Sequence, residues 1–382
     1  MYLQYALRSK RVLTPDGIRP ATVHWQDGRI EKLDQSAGPH VVDVGDNLLA
    51  PGLIDLHGDA FERQIMPRPG VRFPLDVALL ETDRQLIANG ITTAFHGITC
   101  SWEGGLRSHA TGVAFREALA DLRPRLAAQH KVHWRFEAYS LDALAPTLAM
   151  LRSRDIDLLA LNNHMPTIRR KIDDAGRLAE YAQRAETDGA TFRERVQRAL
   201  AREAEVPAAL RDLAATAHEF GIALASHDDT TMEDRALSRA LATTICEFPL
   251  NETALEDARA CGSAIVLGAP NVLRGGSHCG GMSAQELIRH GRCDVLVSDY
   301  YYPALFHAPF RLAMNGAASL EQAWALGSAN AARAAGLTDR GGIAPGMRAD
   351  LLLVDDSHPQ QPRLESAWVS GARVYHGGRT SA

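Results

Sequence analysis

Pro51-Gly52-Leu53-Ile54-Asp55-Leu56-His57-Gly58-Asp59 is a short apolar run that ends in side chains able to hold a metal ion. An extended backbone sends successive side chains to opposite faces, so His57 and Asp59, two apart, point the same way. Imidazole nitrogen beside carboxylate oxygen suits a divalent cation, with zinc the leading expectation and manganese or iron the alternatives.

Seven more runs of the same texture follow. With Gly52–His57 they are Ile91–His96, Val132–Ala138, Ile156–Asn162, Ile222–Ser226, Thr244–Phe248, Ala264–Gly268 and Asp294–Ser298. Stretches with helical periodicity separate several of them, as in Leu210, Leu213 and Ala217. Apolar strands alternating with helices call for a parallel sheet, and eight such units close into a (β/α)₈ barrel. Residues 51–342 are therefore expected to form the barrel. The segment 165–221 is too long for one βα unit; it reads as a helical insertion over the mouth, either a lid or a dimer contact. Both termini are different. Residues 1–50 and 343–382 carry short β-branched runs broken by turns such as Asp27-Gly28, which predicts one small β-sandwich built from the two ends.

Metal-capable residues recur where the apolar runs stop. Glu137 lies at the end of the third, His164 follows the fourth, His227 ends the fifth and Asp299 follows the eighth. Strand ends on that side of a barrel converge on one mouth, so His57, Asp59, Glu137, His164, His227 and Asp299 are the candidate ligands of one or two divalent ions. Asp299 is also the candidate to take a proton from water. Around this set lie cations and glycines. Arg63 and Arg68 follow the first strand, and Arg274-Gly275-Gly276, with His278, follows the seventh. Loops after the seventh and eighth strands of barrels often bind phosphate through glycine N–H groups, so these residues are the candidate contacts to an anionic substrate.

Composition narrows the partners. The formal charge of −5 gives no global basic field, which argues against nucleic acid as a ligand. The first ten residues lack the apolar core of a signal peptide, and no run reaches the roughly 20 apolar residues of a membrane helix. Five scattered cysteines without a Cys-x-x-Cys suit reduced thiols in the cytoplasm. The expected partner is a small phosphorylated anion, with a homodimer as one use of the insertion.

Taken together, Pro51 to His57, Asp299 and the closing Gly341-Gly342-Ile343-Ala344-Pro345-Gly346 resemble the amidohydrolase superfamily. The resemblance implies a hydrolase with one or two divalent metals in the barrel. Within that superfamily, His57-Gly58-Asp59, Met66-Pro67-Arg68-Pro69-Gly70, Ser226-His227-Asp228-Asp229 and Ser298-Asp299-Tyr300-Tyr301 are similar to a branch of diphosphatases of phosphonate metabolism. That branch implies cleavage of a phosphoanhydride in a phosphorylated ribose phosphonate. Hydrolysis of a C–N bond, as in deacetylases or cyclic amidases of the superfamily, is the alternative. A non-catalytic barrel would predict missing ligands, yet His57, His227 and Asp299 are all present.

Overall fold

The computed structural model describes residues 5–38, 40–276 and 282–377. The chain opens with β1 (Tyr5–Thr14), β2 (Gly17–Gln26), β3 (Arg29–Asp34), β4 (Val41–Asp43) and β5 (Leu48–Pro51). After Gly52 it enters β6 (Leu53–Gly58), β7 (Ile91–Cys100), β8 (Gln129–Glu137) and β9 (Leu158–Asn162). The series continues with β10 (Ala223–His227), β11 (Ile245–Glu247), β12 (Ala264–Gly268) and β13 (Val295–Val297). It closes with β14 (Leu351–Asp355), β15 (Arg363–Val369) and β16 (Ala372–His376).

Strands β6 to β13 pair in parallel in chain order. All eight expected runs are strands, although β7 continues to Cys100 and β11 and β13 keep only three residues. The ring is joined just past β13. Asp299 N–H donates to His57 O at 2.9 Å, and Asp59 N–H donates to Asp299 O at 2.9 Å. Every residue of β6 and β7 is buried, as expected of strands covered on both faces. Below the mouth the lumen is filled by Ile54, Leu56, Phe95, Leu158, Val266 and Val295. Burying each such side chain is worth about 1.5–3 kcal/mol, so the lumen is a packed floor and not a pore.

Four helices lie between β9 and β10: Met165–Lys171, Ala175–Arg184, Gly189–Leu200 and Val206–Glu219. The last buries Leu210, Leu213, Ala214 and Ala217, packing on β10 and the helix Leu144–Arg152 as an ordinary barrel helix would. The material beyond a plain βα unit is thus residues 165–205, shorter than the expected 165–221. Charged contacts tie it to the rim: Arg184 pairs with Glu103, and Arg72 pairs with Glu186.

The termini meet in a second sheet of order β16-β15-β14-β5-β1-β2-β3, with β4 alongside β1. This sheet is continuous and curls over itself, so that Trp25 of β2 meets Trp368 of β15 edge-on at 6.1 Å. Val12, Val23, Ile30, Leu49 and Leu351 fill the space between its halves. Among the described residues no helix is long and apolar enough to cross a membrane.

Candidate metal centre

Local backbone geometry aims the polar residues at the mouth. Asp228, Phe248 and Asp299 adopt left-handed φ values of 56°, 53° and 55° at the ends of β10, β11 and β13. That conformation is uncommon outside glycine and is concentrated at functional sites. It lets each strand finish its ladder and then turn inward: Asp228 N–H donates to Glu247 O at 2.9 Å and Phe248 N–H to Val266 O at 3.0 Å. Gly58 is required between the paired candidates. A Cβ there would stand 2.6 Å from Asp55 Oδ2 and 3.0 Å from Tyr302.

The deepest layer is a histidine–carboxylate cluster. His57 Nδ1 and His227 Nδ1 each lie 3.1 Å from the same oxygen, Oε2 of Glu247. Their rings stack at 5.4 Å, and His133 stands edge-on to His57 at 5.0 Å. His133 Nδ1 donates to Leu56 O at 2.9 Å. Burial pushes the His57 and His133 imidazoles down to about 3 and His227 well below its usual value. All three are therefore neutral. With the Nδ1 atoms engaged, their Nε2 atoms carry the lone pairs, which is the form that ligates a metal.

Asp59 and Asp299 stand above this layer. Donor atoms of His57, Asp59 and Asp299 lie within 4.8 Å of one another. Burial, then the charge of Asp59, pushes Asp299 up to about 7. Asp55, in contrast, meets only the backbone of His57, whose N–H donates to Asp55 Oδ1 at 3.4 Å. It is fully buried, pushed up to about 6 by burial, and takes 2.5 and 2.9 Å hydrogen bonds from Ser298 Oγ and N–H. Its work is to lock β6 against β13.

His164 and Glu137 form a second group. His164 Nδ1 lies 2.5 Å from Glu137 Oε1, and its Nε2 is 3.5 Å from Asp228 Oδ2. The Glu137 carboxylate pushes His164 up to about 10, while Glu137, despite its burial, is held below its usual value by His164. His164, His227 and Asp228 also bring donor atoms within 4.8 Å. The buried Arg135 guanidinium stands between the two groups, 3.0 Å from His227 Nε2 and 3.7 Å from Asp59 Oδ2. All six sequence-expected ligands thus come to one mouth.

The outer rim is exposed and arginine-bearing. Arg63, in the short helix Glu62–Ile65, donates to Tyr300 O, and Arg274 Nη1, at the end of the helix Ala269–Arg274, lies 3.4 Å from Tyr300 Oη, so two distant helices converge on the residue after Asp299. Arg68 stands exposed in the turn it shares with Val71. The glycines behave differently from expectation. Gly275, at φ 78°, caps the helix Ala269–Arg274, and the N–H groups of both Gly275 and Gly276 are spent on Asn271 O. Arginine side chains, not these amides, are the donors the rim presents. His278 lies outside the described residues.

Three residues at the centre were not among the expected set: His133, Arg135 and Glu247. A signal for the first two exists in His133-Trp134-Arg135-Phe136-Glu137, where every second residue is polar and all three share the lumen face. Glu247 is a lone carboxylate in the apolar run Ile245-Cys246-Glu247-Phe248. The donor set fits a divalent cation. His133 Nε2 and Glu247 Oε1 are buried without a hydrogen-bond partner, a cost that a coordinated cation would remove.

Comparison with known proteins agrees with the fold. The amidohydrolase family matches residues 48–379. The α-D-ribose 1-methylphosphonate 5-triphosphate diphosphatase of Escherichia coli K12 is 34% identical over 362 residues, covering 92% of this chain and 94% of that one. Among solved structures, N-isopropylammelide isopropylaminohydrolase from Burkholderia multivorans superposes with a TM-score of 0.65 at 18% identity, covering 97% of this chain and 98% of that one. A Xaa-Pro dipeptidase with bound methionine gives a TM-score of 0.65 at 12% identity, covering 98% of this chain and 100% of that one.

Proposed function

The chain belongs to the amidohydrolase family, and from that premise we propose that it hydrolyses a phosphoanhydride in a phosphorylated ribose phosphonate, releasing diphosphate. The observation that carries this reading is the near-full-length likeness to a diphosphatase acting on such a substrate. The rim supports it, since Arg63 and Arg274 converge beside Asp299 where the anionic tail of a substrate would lie.

His57, Asp59, Glu137, His164, His227 and Asp299, with Glu247 and His133 beneath, are the residues that would hold one or two divalent cations. Bound there, the cation would supply Lewis acidity, bringing the pKa of water toward roughly 7 and offsetting phosphate charge. The chain's own residues do the rest. Asp299, raised to about 7, is matched to accept a proton from the attacking water at its carboxylate and return it to the leaving diphosphate. Arg63 and Arg274 orient the phosphates with charge-assisted hydrogen bonds. Glu247 keeps His57 and His227 in the Nδ1–H tautomer.

The test is direct. Metal-loaded protein is incubated with α-D-ribose 1-methylphosphonate 5-triphosphate and diphosphate release is followed. Release at a rate far above background supports the reading. No release, together with turnover of a neutral amide or lactam, would move the protein to C–N hydrolysis on the same scaffold.

A further inference from the structure

A second cavity, of about 510 Å³, opens on the rim away from the metal-capable cluster. Its walls are the loops that follow β7 and β8, the start of the helix His109–Leu122, and the insertion helix Gly189–Leu200. None of His57, Asp59, Glu247 and Asp299 lines it.

Two features of this cavity favour an anion. Arg195, Arg198 and Arg202 line it against a single carboxylate, that of Asp142. Asp142 is already taken by Arg202 at 2.6 Å, and Arg202 is further met by both oxygens of Glu205 at 2.9 Å, which leaves Arg195 and Arg198 as the cations without a carboxylate. Arg195 donates to a carbonyl, Glu103 O, and Arg198 has no hydrogen-bond or ion-pair partner among the described residues. Convergent guanidinium groups repel one another unless an anion joins them. The 14-residue helix His109–Leu122 adds the positive end of its dipole, since Ser108, His109 and Ala110 face the cavity. Trp102 and Tyr139 supply ring walls.

We propose that this cavity binds a small phosphorylated molecule carrying a ring, its phosphates on Arg198, Arg195 and the amide end of the helix His109–Leu122 and its ring against Trp102 and Tyr139. The insertion, whose purpose the sequence left open, then serves to bring the arginines to the barrel. The proposal is independent of the substrate reading, because its test measures binding and not turnover.

The probe is ADP, with inorganic phosphate as the ring-free comparison, titrated calorimetrically into the metal-loaded protein. Hydrogen exchange on the same samples locates the site. The expected result is protection of residues 101–110, 139–143 and 189–202 by ADP, with at least tenfold weaker binding in Arg198→Glu. Arg198 is exposed, so this variant keeps its fold, and its exchange pattern without ADP verifies that. Unchanged ADP affinity in Arg198→Glu, or protection confined to the ends of β6, β10 and β13, would overturn the site. Equal affinity for phosphate and ADP would overturn the ring-bearing ligand.

Discussion

The inner cluster and the outer rim share one mouth but are built on opposite principles. The inner groups are anchored in strands: His57, His133, His227 and Glu247 are buried, and the Nδ1 atom of each ring has a fixed partner. The rim groups ride on two short helices and a turn, and Arg63, Arg68 and Arg274 are exposed. Rigid, desolvated groups suit a reaction centre that must not rearrange; long exposed cations suit recognition of a charged tail. The difference separates two kinds of information. The inner layer speaks to the chemistry, and the rim speaks to the substrate.

That separation can be broken by mutation. The largest effect is expected from Asp299→Asn, which keeps the shape but cannot accept a proton. Turnover should fall by about 10²–10⁴ with circular dichroism unchanged; retained turnover would remove Asp299 from proton transfer. A smaller effect belongs to the rim. Arg274→Ala should raise KM for the triphosphate about tenfold, from loss of a charge-assisted contact of about 1.5 kcal/mol, with little change in kcat. An equal loss on a small neutral substrate would show that the rim is part of the chemistry after all.

The smallest effect probes the link between the layers. His164 is raised to about 10 by Glu137, so the pair stabilises the fold fully below the ordinary histidine value near 6.5 and loses that contribution as pH rises through about 10. In metal-free protein, His164→Gln should therefore melt below wild type at pH 6, with the gap closing by pH 10. The imidazole is about a third exposed, so the gap is on the order of 1 kcal/mol after screening. A gap that widens with pH would reverse the assignment of His164 as a cation.

Much of the molecule was legible in advance. The eight barrel strands could be read because each is an apolar run bounded by helical sequence, and the strand-end residues His57, His227 and Asp299 because polar groups stand where those runs stop. Glu247 was obscured because β11 is only three residues long and reads as core. Arg135 shares a strand face with Glu137, but its guanidinium crosses the lumen to Asp59 and His227, a reach that spacing along one strand does not reveal. The glycines after the seventh strand suggested an anion cradle; only the fold reveals that their amides close a helix on Asn271. The meeting of Arg63 with Arg274 at Tyr300 joins residues more than two hundred positions apart, which no local pattern encodes.

The central claim is that the inner cluster is a divalent metal centre, and anomalous scattering from a zinc- or manganese-loaded crystal tests it most directly. The account predicts a stoichiometric peak at the barrel mouth within about 2.0–2.2 Å of donor atoms from His57, His227 or Asp299. A crystal whose only peaks lie on surface histidines would contradict it.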